Sequence, residues 1–138
     1  MAAGDAVSAE AAVAARLAAL LRGDAALMGV VNAVHEGPVA RATLPFLAIG
    51  ALGVSDWGTK DRAGAEVLVR LSWTAPDGPG DGLVGARVIA VVQTLRGVSG
   101  GWELVSARLL RSRGGHDKAG RWVQEFEVRV RCLVEAAT

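Results

Sequence analysis

The chain has 138 residues, of which 51% are hydrophobic and 21% are charged, and its formal net charge is +1 at pH 7. This composition predicts one folded domain over residues 1–138 and argues against a disordered chain. The near-neutral charge argues against a strong overall attraction to nucleic acid or to an anionic membrane, and the single cysteine, Cys132, excludes an intrachain disulfide and a cysteine-rich zinc site.

The first third of the chain predicts a helix, a loop and a strand. Ser8 has the residue type of an N-cap for a helix that runs to about Arg22, with leucine and valine on one face. Residues 32–45 contain two prolines and are predicted to be mostly loop. The following run, "FLAIGALGV" at residues 46–54, is apolar on both faces and predicts an interior strand.

The rest of the chain predicts three strands and a second helix. Residues 66–74 alternate between polar and apolar side chains, as a strand does. A Gly- and Pro-rich break follows, and Asp81 is the expected cap of a helix to about Leu95. Two further strands are predicted at 102–111 and 121–135, joined by a polar hairpin.

The predicted order is therefore α-β-β-α-β-β in an α+β fold. We expect two helices, each with one apolar stripe, to pack on one face of a mostly antiparallel four-stranded sheet. The other face of this sheet is predicted to be polar and to be either solvated or a contact surface for a partner. On the last strand this face carries Glu125, Glu127, Arg129 and Arg131.

The sequence offers little for catalysis. His35 and His116 lie in or beside Gly-containing loops, and neither has a carboxylate at a spacing that fixes a catalytic pair. The segment "GPGDG" at residues 78–82 precedes a helix as phosphate-binding loops do, but it lacks their lysine. No catalytic, cofactor-binding or metal-binding residue is predicted, no cofactor is expected, and an enzyme that uses a histidine is the weakest hypothesis.

One basic cluster lies in the predicted hairpin near the end of the chain. It is either a contact surface for phosphate or an acidic partner, or a solvated hairpin tip. Its members are Arg111, Arg113, Lys118 and Arg121.

The loop between the second and third predicted elements is unusual. It carries two charges of each sign beside a tryptophan, where a simple turn would use Gly, Pro, Asn or Asp. Aromatic side chains among charges are typical of interfaces, but the tryptophan could equally fold back over the sheet edge. The residues are Asp56, Trp57, Lys60, Asp61 and Arg62.

Several of these segments together resemble a known family. They are "DAAL" at 24–27, "LPFLAIG" at 44–50, "SDWGTKDRAGAEV" at 55–67 and "RW" at 121–122. From about residue 9 to 134 the chain is similar to the tail-completion, or tail-terminator, proteins of long-tailed non-contractile phages and of gene transfer agents. Residues 32–42 fit the pattern less well, since they lack an aromatic residue before Gly37.

The resemblance implies a structural, non-enzymatic role in a phage-like particle. Such proteins are expected to form a homohexameric ring on the last ring of tail-tube protein, to stop tube polymerisation, and to join the tube to the stopper or connector on the head side. DNA would pass through the lumen without sequence recognition, and no membrane is involved. The protein would be cytoplasmic during assembly and then part of the head–tail junction.

Under this resemblance, the charged loop would make subunit or ring-to-ring contacts, with the tryptophan as anchor. The polar sheet face would line the lumen or meet a neighbour. The alternatives are another connector component such as a stopper, the tube subunit itself, and a small nucleic-acid-binding module that uses the basic hairpin 111–121.

Overall fold

The computed structural model describes residues 7–136 and contains three helices and one mixed sheet of six strands. The strand order is β1-β2-β3-β6-β5-β4, and the sheet curls into a half-barrel. The helices are α1 (Ala9–Arg22), α2 (Ala25–Met28) and α3 (Leu83–Gln93), and the strands are β1 (Val34–Glu36), β2 (Phe46–Asp56), β3 (Gly64–Ala75), β4 (Gly97–Ser99), β5 (Trp102–His116) and β6 (Trp122–Val134).

The predicted fold, a mostly antiparallel four-stranded sheet with two packed helices, is wrong. Strand β1 lies within the predicted loop and pairs in parallel with β2, which makes the sheet mixed. Strand β4 lies where the second helix was predicted to end, and it pairs with the start of β5. Each of these strands has three residues, which is too short to show the alternation on which the prediction depended.

The helix ends follow local hydrogen bonding. The Ser8 hydroxyl accepts a hydrogen bond from the Ala11 amide, which caps α1 as expected. At α3 the N-cap is Gly82, whose φ of 85° favours glycine, and not Asp81 as predicted. The Asp81 carboxylate instead accepts a hydrogen bond from the Leu83 amide beside that cap.

The core lies between the helices and one face of the sheet. The apolar stripe of α1 is fully buried against this face, as are the alternate residues of β6 from Phe126 to Cys132. The Cys132 thiol is buried and donates a hydrogen bond to the Ala65 carbonyl, and its burial raises its pKa. A buried thiol with a raised pKa is a poor nucleophile, so Cys132 serves as a small core residue.

Strand β2 was predicted to be an interior strand, and over more than half of its length it is not. Only Leu47 to Ile49 pair with β1, and the rest of β2 from Gly50 to Asp56 pairs with β3 alone among residues 7–136. Leu52 and Val54 are consequently 44% and 50% exposed. The part of β2 from Gly50 to Asp56 therefore forms an open edge of the sheet.

Candidate functional site

The sheet face opposite the helices is a surface of paired charges. Strands β3, β5 and β6 place six arginines and four glutamates on it, which alternate with the buried core residues. These residues are Glu66, Arg70, Glu103, Arg108, Arg111, Arg113, Glu125, Glu127, Arg129 and Arg131. The residues predicted for this face on β6 all lie on it.

Most of these charges form ion pairs across neighbouring strands. Arg131 lies 3.0 Å from Glu66, and Arg70 lies 2.9 Å from Glu125. Arg111 donates two hydrogen bonds to Glu127, of 3.0 and 3.1 Å, and these bonds hold the pKa of the Glu127 carboxyl below its ordinary range. The face is thus polar and only weakly positive, because glutamates neutralise most of its arginines.

The charged loop (residues 57–63) is a hairpin turn that joins β2 to β3. The Trp57 amide donates to the Gly64 carbonyl, and the Thr59 amide donates to the Arg62 carbonyl. Gly64 is needed at the base of the turn, because a Cβ there would lie 2.8 Å from the Cys132 carbonyl oxygen and 2.9 Å from that of Trp57. The loop therefore has a defined shape and packs closely on β6.

Two of the five residues predicted for contact in this region are held by the chain itself. The Trp57 ring is half-buried, and the Arg131 guanidinium carbon lies 5.5 Å from its centroid in a cation–π contact. Arg62 donates hydrogen bonds to the Val134 carbonyl and to Glu103, which ties the loop to the ends of β6 and β5. Both contacts lie within the chain and fix the conformation of the loop.

The other three residues point into solvent. Asp56, Lys60 and Asp61 are exposed, and none of them forms an ion pair with another residue between 7 and 136. Lys60 and Asp61 lie at the tip of the loop, and Asp56 ends the open edge of β2. These free charges are the part of the region that is available to a partner.

The basic hairpin is largely neutralised. Arg111 is paired with Glu127 and Arg121 with Asp117, while Arg113 lies 3.9 Å from Glu125. Only the fourth predicted member, Lys118, has no carboxylate partner within the described part of the chain. Paired arginines attract phosphate weakly, so this arrangement gives little support to a nucleic-acid site.

The histidines lie far apart in the fold. His35 is on β1, with its ring 5.7 Å from that of Phe46. His116 ends β5, where its Nε2 is 3.1 Å from the Asp77 carbonyl oxygen and its ring packs edge-on against Trp122. Among residues 7–136 no group of three or more His, Cys, Asp or Glu side chains is arranged to hold a metal ion.

Two features were not predicted from the sequence. A groove of about 680 Å³ runs beside the open edge of β2, between the start of α1 and residues 37–39. An ion pair joins Asp24, the N-cap of α2, to Arg87 on α3 at 2.6 Å. The cap type of Asp24 is visible in the sequence, but its partner lies 63 residues away and carries no local signal.

The sequence matches a known protein family over most of its length. Residues 15–131 match the family described as tail completion protein gp17. The chain belongs to this family. No curated protein matches it.

A solved structure agrees with the family assignment. The chain is similar, at 28% identity and with a TM-score of 0.67, to a chain in the structure titled "Virion of native gene transfer agent (GTA) particle". The alignment covers 96% of this chain and 98% of the other. The family and this likeness together support a structural role in a phage tail. In the described residues no helix is long and apolar enough to cross a membrane.

Proposed function

We propose that this tail completion protein is a tail terminator. It forms a hexameric ring on the end of the tail tube, stops tube polymerisation, and joins the tube to the stopper or connector on the head side. The observation that carries the proposal is the likeness to a chain of a gene transfer agent virion over nearly the whole length of both chains. The role is structural and needs no cofactor or catalytic group.

The distribution of charge on the sheet supports this role. In the proposed ring the ion-paired face lines the lumen, where DNA passes without sequence recognition. A face whose arginines are mostly paired with glutamates attracts phosphate only weakly, so it would neither hold nor strongly repel a moving duplex.

The charged loop, together with Asp56 at the end of β2, supplies the proposed contact with a neighbouring subunit or ring. Asp56, Lys60 and Asp61 are exposed and unpaired with the rest of residues 7–136, and mixed charges of this kind favour one register over others. Trp57 and Arg62 hold the loop in the shape that presents these charges. The protein assembles in the cytoplasm and becomes part of the head–tail junction.

Electron microscopy of particles from cells that lack this chain tests the proposal. We expect filled heads without tails beside detached tails of irregular and often excessive length. Supplying the unchanged chain from a second copy of its gene should restore joined particles of uniform tail length. Heads that carry normal tails in its absence would overturn the proposal.

A further inference from the structure

The sheet has two open edges that differ from each other. On one side, the outer edge of β2 from Gly50 to Asp56 has no strand partner among residues 7–136. On the other side, β4 pairs only with residues 102–104 of β5, so β5 is unpaired on its outer side from Val105 to His116 within the described residues. Unpaired strand edges readily accept a strand from another chain.

The direction of the two edges makes them complementary. Across the four long strands β2, β3, β6 and β5 each neighbouring pair is antiparallel, so β2 and β5 run in opposite directions. If a second copy continues the sheet in the same orientation, its β5 lies antiparallel beside β2. That arrangement uses a different patch on each copy, which is what a closed ring requires.

Exposed apolar side chains at both edges also favour a contact between copies. Each edge strand has bulges, and the extra residue at every one is a large aliphatic: Leu52 in β2, and Val105 and Leu110 in β5. They are 44%, 37% and 44% exposed. Burying them against a neighbour would remove apolar surface from water on both sides of the contact.

The groove and the charges also favour a second copy of this chain as the partner at these edges. The groove of about 680 Å³ is lined in part by Gly50 to Leu52, at the start of the open edge of β2. Among residues 7–136, neither Glu10, on the wall of this groove, nor Asp56 forms an ion pair. Arg108, in the middle of the β5 edge, is exposed and likewise has no ion pair within these residues. Opposite charges on the two edges steer them together and disfavour pairing of an edge with itself.

We propose that the free edge of β5 in one copy pairs, antiparallel, with the free edge of β2 in the next copy, and that this pairing closes the ring. The inference rests on the proposed terminator function, and it assigns the occupant of the groove to a second copy of this chain.

Cysteine cross-linking in particles tests this pairing. Two double variants combine Leu52→Cys with either Val105→Cys or Leu110→Cys, and each single variant serves as its control. Because Cys132 is buried, the introduced thiols are the reactive ones. Purified particles are treated with a short bifunctional thiol reagent and analysed under denaturing conditions.

Pairing of β2 with β5 predicts a ladder of multimers from at least one double variant and only monomers from the single variants. A dimer from Leu52→Cys alone would mean that β2 pairs with itself and would overturn the proposal. Absence of a ladder from both double variants, in particles that contain the chain, would overturn the pairing and leave the terminator function standing. Absence of the unchanged chain from particles would overturn both.

Lysine substitutions give a second measurement that does not depend on register. Leu52→Lys and Leu110→Lys should each lower incorporation into particles at least tenfold, while the isolated proteins keep their circular dichroism and melting temperature. Ile89→Lys is the matched control, because Ile89 is 36% exposed on α3 and lies on neither edge. Normal incorporation of both edge variants would contradict the proposal.

Discussion

At the scale of single residues, Arg62 shows how a charge in a loop can serve the fold. Its side chain is 27% exposed and donates hydrogen bonds to Val134 and Glu103, 72 and 41 residues away. Sequence alone groups it with Lys60, which is two positions earlier and exposed. The structure separates the two, so their substitution should have different effects.

Arg62→Ala should lower the free energy of unfolding by about 1–2 kcal/mol, since it removes a partly buried ion pair and leaves a carbonyl without its donor. Lys60→Ala is the matched control and should change it by less than about 0.5 kcal/mol. Urea denaturation followed by tryptophan fluorescence measures both. Equal stability of the two variants would show that the bonds of Arg62 do not hold the loop.

The contacts of the Trp57 side chain could not be predicted from the sequence. Its position among charges left two interpretations open, an interface anchor and a ring folded back over the sheet edge. The ring packs on Arg131, which is 74 positions later in the chain and adjacent only because β3 pairs with β6. Such a contact follows from the strand order, which no local pattern contains.

At the scale of secondary structure, the long elements could be predicted and the two short strands could not. The period of the apolar residues placed α1 and the four long strands within a few positions of their observed bounds. Strands β1 and β4, with three residues each, exist because the edges of β2 and β5 offer hydrogen bonds to them. The strand order and the parallel pairing of β1 with β2 depend on contacts between residues distant in sequence. Local patterns do not contain this information, and the four-stranded prediction was therefore wrong.

The short helix α2 is stabilised from outside, since four residues are too few for a stable helix by themselves. Asp24 accepts a hydrogen bond from the Leu27 amide and pairs with Arg87 of α3. The hydrogen bonds from Arg87, and then from Leu27, lower the pKa of Asp24 below its ordinary value of 3.8. Its ionised form therefore stabilises the folded state.

This lowered pKa predicts a pH dependence. The contribution of Asp24 is complete above its unfolded pKa and is lost as the pH falls through its lower folded pKa. Asp24→Asn should therefore be less stable than the unchanged protein at pH 7, and the difference should shrink as the pH falls below about 4. Thermal unfolding across this range measures it, with Asp61→Asn as a control that should follow the unchanged protein.

At the scale of the whole molecule, charge is distributed unevenly although the total is near zero. The polar sheet face carries two more arginines than glutamates, and its ion pairs run across three strands. If those glutamates serve to weaken attraction to DNA, a variant that lacks their charges should bind DNA more tightly than the unchanged protein.

A variant with Glu66, Glu125 and Glu127 all changed to Gln should bind duplex DNA at least tenfold more tightly than the unchanged protein, whose Kd we expect near or above ~100 µM at physiological salt. The gain should vanish at high salt. The control changes Glu10→Gln, Asp61→Asn and Asp77→Asn, which alters net charge equally but lies off the face. Fluorescence anisotropy measures DNA binding by the unchanged protein, the variant and the control. Tight, salt-sensitive binding by the unchanged protein would instead favour the function of a nucleic-acid-binding module.

The strand order also affects how the chain folds during its synthesis. The centre of the sheet is the pairing of β3 with β6, which joins residues 47 to 69 positions apart, from Ala75 with Trp122 to Gly64 with Leu133. During synthesis the β2–β3 hairpin leaves the ribosome first and must wait several seconds for its central partner, at ~5–20 residues per second. Over that interval the apolar face of β3 is open to other nascent chains, so the rate of translation between residues 76 and 134, and the chaperones present then, should decide how much of this protein reaches its native fold.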